Sequence, residues 1–304
     1  MRPIVVLFGA GASHGAGWIR PERPPLGAAL FHELSRLYPG SWGALPWEIR
    51  SAFAIHFESG MGILSERAAM AIPQLMREMA VYFIQFRADD DRCLYMRLIN
   101  DLRSRGILDL LAFSSLNYDC VFDLALAGCG MPLNYFDPPD AFRVPLWKLH
   151  GSCNMFSKDV TASQGISYGS GVTFEGGIQA FLDSNRVIEH SLAETGLAPV
   201  MCLYMKGKPT SVSPSALKAV QDIWSGQIVK ARAVFVVGTR PWPDDRHVWG
   251  PLAETSADVF LVGDASEGRE WARRNRKGRT DTIGAYFGES YATLLQEIER
   301  YAAN

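Results

Sequence analysis

Ile4-Val5-Val6-Leu7-Phe8-Gly9-Ala10-Gly11-Ala12-Ser13 is the stretch from which the fold is read. Its first half is an unbroken apolar run rich in β-branched residues, with no polar alternation, which is the pattern of a central strand covered on both faces. The run opens straight into glycines. Gly9 and Gly11 permit a sharp turn and close approach of the backbone to a ligand. Ala12 and Ser13 then stand where a helix begins, and amide groups there favour an anion such as a diphosphate. A purely structural strand-to-helix turn carries the same local signature, so the segment defines an α/β unit and leaves its ligand open. The dinucleotide fingerprint of hydride-transferring enzymes is not completed. His14 occupies the place of its third glycine, and no second strand ending in an acidic residue follows ~20 residues on.

Outward from this unit, apolar runs alternate with helical periodicities. Leu30, Leu34 and Leu37 keep helical spacing after a loop at 20–25 rich in arginine and proline, and similar patterns follow at 65–86 and 92–105. They predict a helical insert over about 28–106. Strands are predicted at 107–113, 144–149, Ala233–Val237 and Asp258–Val262, and helices at 121–126, 215–230 and 291–301. Between them, about 154–213 is poorly periodic, rich in Gly, Ser and Thr around 161–177, and reads as a second insert with one helix at 178–190. The expected architecture is a single domain over 1–304, of α/β class, with a Rossmann-like doubly wound parallel sheet carrying helical insertions. Ligands of such sheets bind beyond the carboxyl ends of the strands. Gly9, Asn117, His150, Gly238 and Asp264 each follow a predicted strand, and are expected to converge there.

Composition narrows the function. The 304 residues are 48% hydrophobic, enough for a large core, and the net charge of −2 gives no electrostatic reason to expect nucleic acid or an anionic membrane as partner. No apolar run approaches the ~18 residues of a membrane span. The N-terminal run is shorter than a signal-peptide core, which points to the cytoplasm. Cys93, Cys120, Cys129, Cys153 and Cys202 are odd in number and form no Cys-x-x-Cys pair, as reduced thiols do. His14, His32, His56, His190 and His247 show no metal-ligand spacing, so no metal is expected. Cys153 lies close behind His150 but has nothing to lower its pKa, and reads as a neutral thiol. The basic run Arg273, Arg274, Arg276, Lys277 and Arg279 reads as a solvated helix end rather than a nucleic-acid surface. Neither the Gly-x-Ser-x-Gly elbow nor the His-Glu-x-x-His helix occurs.

Four segments remain: Gly9 to Ser13, Leu116-Asn117-Tyr118-Asp119, Leu149-His150-Gly151-Ser152, and Val237-Gly238-Thr239. Taken singly, Asn117 reads as a turn or cap and His150 as a structural histidine. In this order they resemble the NAD-binding and catalytic signature of the sirtuin-like superfamily, over about 4–17, 107–152 and 232–264. The resemblance implies NAD+ as substrate, bound at Gly9, Ala10, Gly11, Ala12 and Ser13. It makes Asn117 the residue that holds ribose and water, donating and accepting at once, and His150 the base. Asp119 would orient the loop or the ribose, Gly238 and Thr239 would contact phosphate or ribose, and Asp264 would sit in an adenosine-side loop. Arg240 stands where the family more often has serine, either to bind the diphosphate or to pair with Asp244 or Asp245.

The chain departs from the protein-deacylating members in two ways. It lacks the paired cysteines of their zinc module, and it runs Gly17-Trp18-Ile19-Arg20 and Pro24-Pro25-Leu26-Gly27 where they have Ile-Pro-Asp-Phe-Arg. In addition, Pro241-Trp242-Pro243 is ill suited to clamp an acyl-lysine peptide by strand addition. In these respects the chain resembles the bacterial branch that hydrolyses NAD+, often as an antiphage effector. The implied function is an NAD+ glycohydrolase releasing nicotinamide and ADP-ribose. An NAD-dependent deacylase and a non-catalytic module sensing NAD or ADP-ribose are the alternatives. Control by homo-oligomerisation or by a separate activating or sensor protein is implied as well.

Overall fold

A computed structural model describes residues 3–88, 90–162, 173–193, 197–242 and 244–303. Its strands are β1 (Ile4–Phe8), β2 (Ile19–Arg20), β3 (Arg87–Ala88), β4 (Leu111–Ser115), β5 (Leu133–Asn134), β6 (Val144–Lys148), β7 (Met155–Ala162), β8 (Phe174–Ala180), β9 (Ala233–Val237), β10 (Asp258–Val262) and β11 (Thr280–Gly284). Seven of them make one parallel sheet in the order β11-β10-β9-β1-β4-β6-β5. The chain moves outward from β1 through β4, then returns to β9 on the other side of β1 and moves outward again. That reversal leaves a crevice beyond the carboxyl ends of β1, β4 and β9. Because Phe8 is in register with both Ser115 and Val237, Gly9, Leu116 and Gly238 leave the sheet side by side.

Helices cover both faces. After β1 comes the short α1 (Ala10–Gly15), and the chain between β2 and β4 carries α2 (Gly27–Leu37), α3 (Trp47–Ile55), α4 (Phe57–Arg67), α5 (Ile72–Phe83) and α6 (Leu94–Ser104), with β3 between the last two. The remaining helices are α7 (Val121–Gly128), α8 (Ser184–Ala193), α9 (Pro214–Lys230), α10 (Arg246–Glu254), α11 (Ala265–Asn275) and α12 (Phe287–Ala302). Strand alternation divides the core. Ile4, Val6 and Phe8 pack with Phe113, Phe235, Leu294 of α12 and the helical insert, whereas Val5 and Leu7 pack with Val234, Val236, Trp224 of α9 and Val248 of α10. Every residue of β1 and β9 is buried, as the unbroken apolar runs require.

Several boundaries differ from the sequence reading. The run at 107–113 enters as a 3-10 turn, Leu108–Leu110, and the strand follows at Leu111–Ser115. The pattern at 65–86 is two helices, because the chain breaks at Ala69–Ala71 before Pro73 starts α5. Within 154–213, β7 and β8 form an antiparallel ribbon and the helix begins only at Ser184; residues 163–172 and 194–196 lie outside the description. Gly176 hid that ribbon from a propensity reading, since a Cβ there would lie 2.6 Å from the Lys158 carbonyl oxygen. The basic run is structural in part. Arg276 donates to the carbonyls of Leu252 and Ala257 and to Thr280 Oγ1, Arg274 pairs with Glu270, and Arg279 pairs with Asp281. Among the described residues, no helix is long and apolar enough to cross a membrane.

Candidate functional site

The two glycine loops at the sheet reversal pack on each other. Gly9 donates its amide to Val237 O at 2.8 Å, Gly11 to Gly238 O at 2.8 Å and Ala12 to Gly9 O at 2.9 Å. Gly238 has φ +72°, and a Cβ there would fall 2.0 Å from the Ala12 nitrogen. Close approach between the loops requires these glycines, and the amides of Gly9, Gly11 and Ala12 are engaged within the two loops. Gly9, Ala10 and Thr239 still line the crevice.

Asn117 emerges from β4 beside this junction. Its backbone amide donates to Ser115 Oγ, and its Nδ2 donates to Gly9 O at 3.1 Å and to Ser13 Oγ at 2.9 Å. A carbonyl only accepts, so the Gly9 contact fixes which end of the side-chain amide faces inward. The other end, Oδ1, is buried without a hydrogen-bond partner. Asn117 therefore presents an acceptor alone, where the sequence reading gave it both roles.

Behind Asn117 lies a polar network that the sequence did not announce. Ser13 Oγ donates to Asp119 Oδ1 at 3.1 Å and meets the Tyr95 hydroxyl at 3.1 Å, so Ser13 serves the asparagine from within. Burial raises the Asp119 carboxyl above its ordinary pKa, with Lys148 opposing. Lys148 Nζ donates to Asp119 O at 2.7 Å and pairs with Asp123 Oδ2 at 3.2 Å, and Tyr135 donates to Asp123 Oδ1. Burial pulls the Lys148 ammonium down, but Asp123 and its other neighbours outweigh it and hold the pKa at about 12.

His150 leaves β6 ahead of Gly151, whose φ is +72° and whose Cβ would sit 1.9 Å from Val200 O. The residue is 4% exposed. Burial first, then the charges of His247 and Lys208, push its pKa well below the usual imidazole value, while a hydrogen bond to the Leu116 backbone works the other way. The ring is neutral, and Nε2 is buried without a hydrogen-bond partner. Asp245 Oδ2 lies 3.6 Å from Nε2, and the His247 ring is 5.1 Å away by centroid. Lys208 Nζ sits 3.2 Å from Glu58 Oε1, 4.0 Å from Asp245 Oδ1 and 3.8 Å above the Tyr204 ring.

These residues enclose a crevice with two lobes. The polar lobe, about 560 Å³, is walled by Gly9, His150, Lys208, Thr239 and Asp245 among others. The apolar lobe, about 1020 Å³, is walled by Pro24, Pro25, Leu26, Leu30, Phe57 and Tyr118, with Asp119 at its edge. Both include Ala10, Leu116, Asn117, Tyr204 and Arg240, so Asn117 stands at their junction. A hollow of about 900 Å³ near Leu108 and Phe142 and a groove of about 1090 Å³ between α10 and α11 contain neither Asn117 nor His150.

One expected site residue, Asp264, lies outside the crevice, and Arg240 lines it with a partner other than those expected. Asp264 caps α11, its Oδ1 accepting from the amides of Ser266 at 2.8 Å and Glu267 at 3.0 Å, and it lines neither lobe. Arg240 pairs with neither Asp244 nor Asp245; its guanidinium lies 3.5 Å from Glu267 Oε1, in an exposed pair of the kind a competing anion displaces at little cost. Cys153 is buried with its Sγ 3.5 Å from Cys120 Sγ, and burial raises the thiol well above its ordinary pKa. Among the described residues, no group of three or more His, Cys, Asp or Glu side chains could hold a metal ion. Of the expected positions, the structure thus brings together Gly9, Ala10, Asn117, Asp119, His150, Thr239 and Arg240, with Gly11, Ala12, Ser13 and Gly238 supporting them from behind. A scan against protein-family models finds none that matches the chain, and a search of curated proteins finds no match.

Proposed function

We propose that this chain is a sirtuin-like NAD+ glycohydrolase that transfers the ADP-ribosyl group of NAD+ to water, and that it serves as an NAD-depleting defence effector. One observation supports the activity above the others: Asn117 Oδ1 and His150 Nε2, both buried and without hydrogen-bond partners, border the same small lobe at the sheet reversal. Unmet acceptors in a buried site carry a desolvation cost that a ligand's donors would relieve. Water has two such donors, and so does a ribose diol.

Charge is consistent with the chemistry. Cleaving the nicotinamide–ribose bond develops positive charge on the ribose, and the carboxylates of Glu58 and Asp245 border the lobe to meet it, matched in number by Lys208 and Arg240. A neutral His150 can take a proton from the attacking water while Asn117 Oδ1 holds that water by its other hydrogen. The new oxygen–carbon bond forms as the carbon–nitrogen bond breaks, its electron pair leaving with neutral nicotinamide. Arg240 at the mouth would meet the diphosphate.

The test is to incubate the purified protein with NAD+ in heavy-oxygen water and to resolve the products by mass. The expected result is nicotinamide with ADP-ribose carrying one solvent oxygen. Products that appear only with an acylated peptide would make the chain a deacylase. Binding of NAD+ without consumption at any protein concentration would make it a sensing module.

A further inference from the structure

Asp245 occupies the N-cap position of α10, where an aspartate ordinarily accepts hydrogen bonds from the first-turn amides. It makes no such bond. Asp264, at the same position of α11, caps through both Ser266 and Glu267. The Asp245 carboxyl is turned instead into the polar lobe. Oδ2 lies 3.6 Å from His150 Nε2, and Oδ1 is buried with no hydrogen-bond partner, 4.0 Å from Lys208 Nζ.

We propose that Asp245 is the positioning residue of His150, whose carboxylate receives the imidazolium N–H formed when His150 takes a proton from the attacking nucleophile. The proposal rests on the hydrolase reading for the source of that proton. Its physical need is independent of the substrate. A buried imidazole surrounded by Lys208 and His247 resists protonation, and a base that cannot be protonated cannot act. A carboxylate facing the same nitrogen removes the difficulty, because closing from 3.6 Å to the ~2.8 Å of a charge-assisted bond needs only a small side-chain shift. In the balanced step, the water O–H bond breaks and its proton moves to Nε2. The remaining oxygen bonds the ribose carbon as nicotinamide leaves with the electron pair of the broken bond, and the Nε2–H then donates to Asp245 Oδ2 until the proton is returned to solvent.

The groups around Asp245 come from several elements: His150 after β6, Lys208, Tyr204 and Cys202 from the second insert, Tyr118 after β4, Glu58 on α4 and the adjacent Asp244. Burial raises its pKa to about 6, with Lys208 opposing and Glu58 and Asp244 reinforcing. The carboxylate is thus ionised at neutral pH and lost on mild acidification.

Two readouts test the pair in the full-length chain carrying Asp245→Asn, with Asp245→Glu as the conservative variant. The first needs no turnover. In protein labelled at histidine ring nitrogens, the His150 signals should shift as Asp245 titrates, with a midpoint near 6, and that shift should vanish in Asp245→Asn. The second is kinetic: kcat should fall ~10–100-fold with KM within ~2-fold, the acidic limb of the pH–rate profile should disappear, and Asp245→Glu should restore part of the rate. Identical His150 titration in the wild type and Asp245→Asn overturns the proposal, whatever the activity. A wild type that leaves NAD+ intact but shows the coupling removes the hydrolase reading and supports the pair.

Discussion

Asn117 turns its amide nitrogen to the Gly9 carbonyl, 3.1 Å away, and so offers the crevice only its oxygen. The relationship couples the first loop of the chain to the strand beside it. The glycine turn is thus more than a place for a ligand to lie, because it sets the polarity of the side chain opposite. His150 Nε2, also buried and without a hydrogen-bond partner, borders the same lobe.

Ser13 completes that orientation, holding the second amide hydrogen at 2.9 Å. Ser13→Ala should let the Asn117 amide rotate, lowering kcat for NAD+ cleavage ~10-fold with little change in KM, since the hydroxyl itself lines neither lobe. A variant with wild-type kcat would show that the orientation does not matter to turnover.

Gly238 is fixed by its φ of +72° and by the Ala12 nitrogen where a Cβ would go. Gly238→Ala should therefore cost on the order of 3 kcal/mol in urea denaturation, as strain and overlap add. By contrast, Gly226→Ala, on α9 where nothing lies within 4 Å of the added Cβ, should be neutral or stabilising.

Lys148 and Asp123 form a pair in which both side chains are 1% exposed. Lys148→Met strands the Asp123 carboxylate in the core and should destabilise by roughly 3–5 kcal/mol, whereas the double variant with Asp123→Leu should recover much of the loss. A double-mutant cycle by thermal or urea unfolding measures this. Equal stability of the single and double variants would contradict the account of the network.

Acid should weaken the fold through its neutral histidines. Burial, with Lys208 and Lys218, lowers His247 from 6.5 to about 4, so the unfolded chain takes up this proton first as pH falls. The contribution of His247 is complete above pH 6.5 and is lost on acidification towards its folded pKa of about 4. The slope is at most about 1.4 kcal/mol per pH unit. Asp245 acts in the opposite sense between 3.8 and about 6, because its folded pKa is the higher one. Urea titrations of the wild type and His247→Asn should therefore diverge over this range, and parallel curves would contradict the shift.

The parts of the fold that were legible in the sequence are those whose burial leaves a one-dimensional trace. β1, β9 and β10 are apolar throughout or nearly so, and their ends stand where the runs end. β4 was read too early because the apolar Leu108 and Leu110 belong to a turn that merges with the strand pattern. The edge strand β11, Thr-Asp-Thr-Ile-Gly, is half-buried along its length and left no apolar signal. Asn117 and His150 were found through short motifs. Asp245 was named only as a partner for Arg240, and Lys208 and Lys148 were assigned no role, because their partners are distant in sequence, as Glu58 is from Lys208. Asp264 and Asp245 show the limit from the other side. Each precedes a helix, and only the side-chain direction separates the cap from the residue facing the site.

The most direct test of the central claim is nicotinamide release from NAD+ by the purified chain over a range of protein concentrations, beside Asn117→Ala and His150→Ala. The account predicts release that needs no peptide and is lost in both variants while they remain folded by circular dichroism. Release that persists in both, or its absence from the wild type at every concentration, would contradict it.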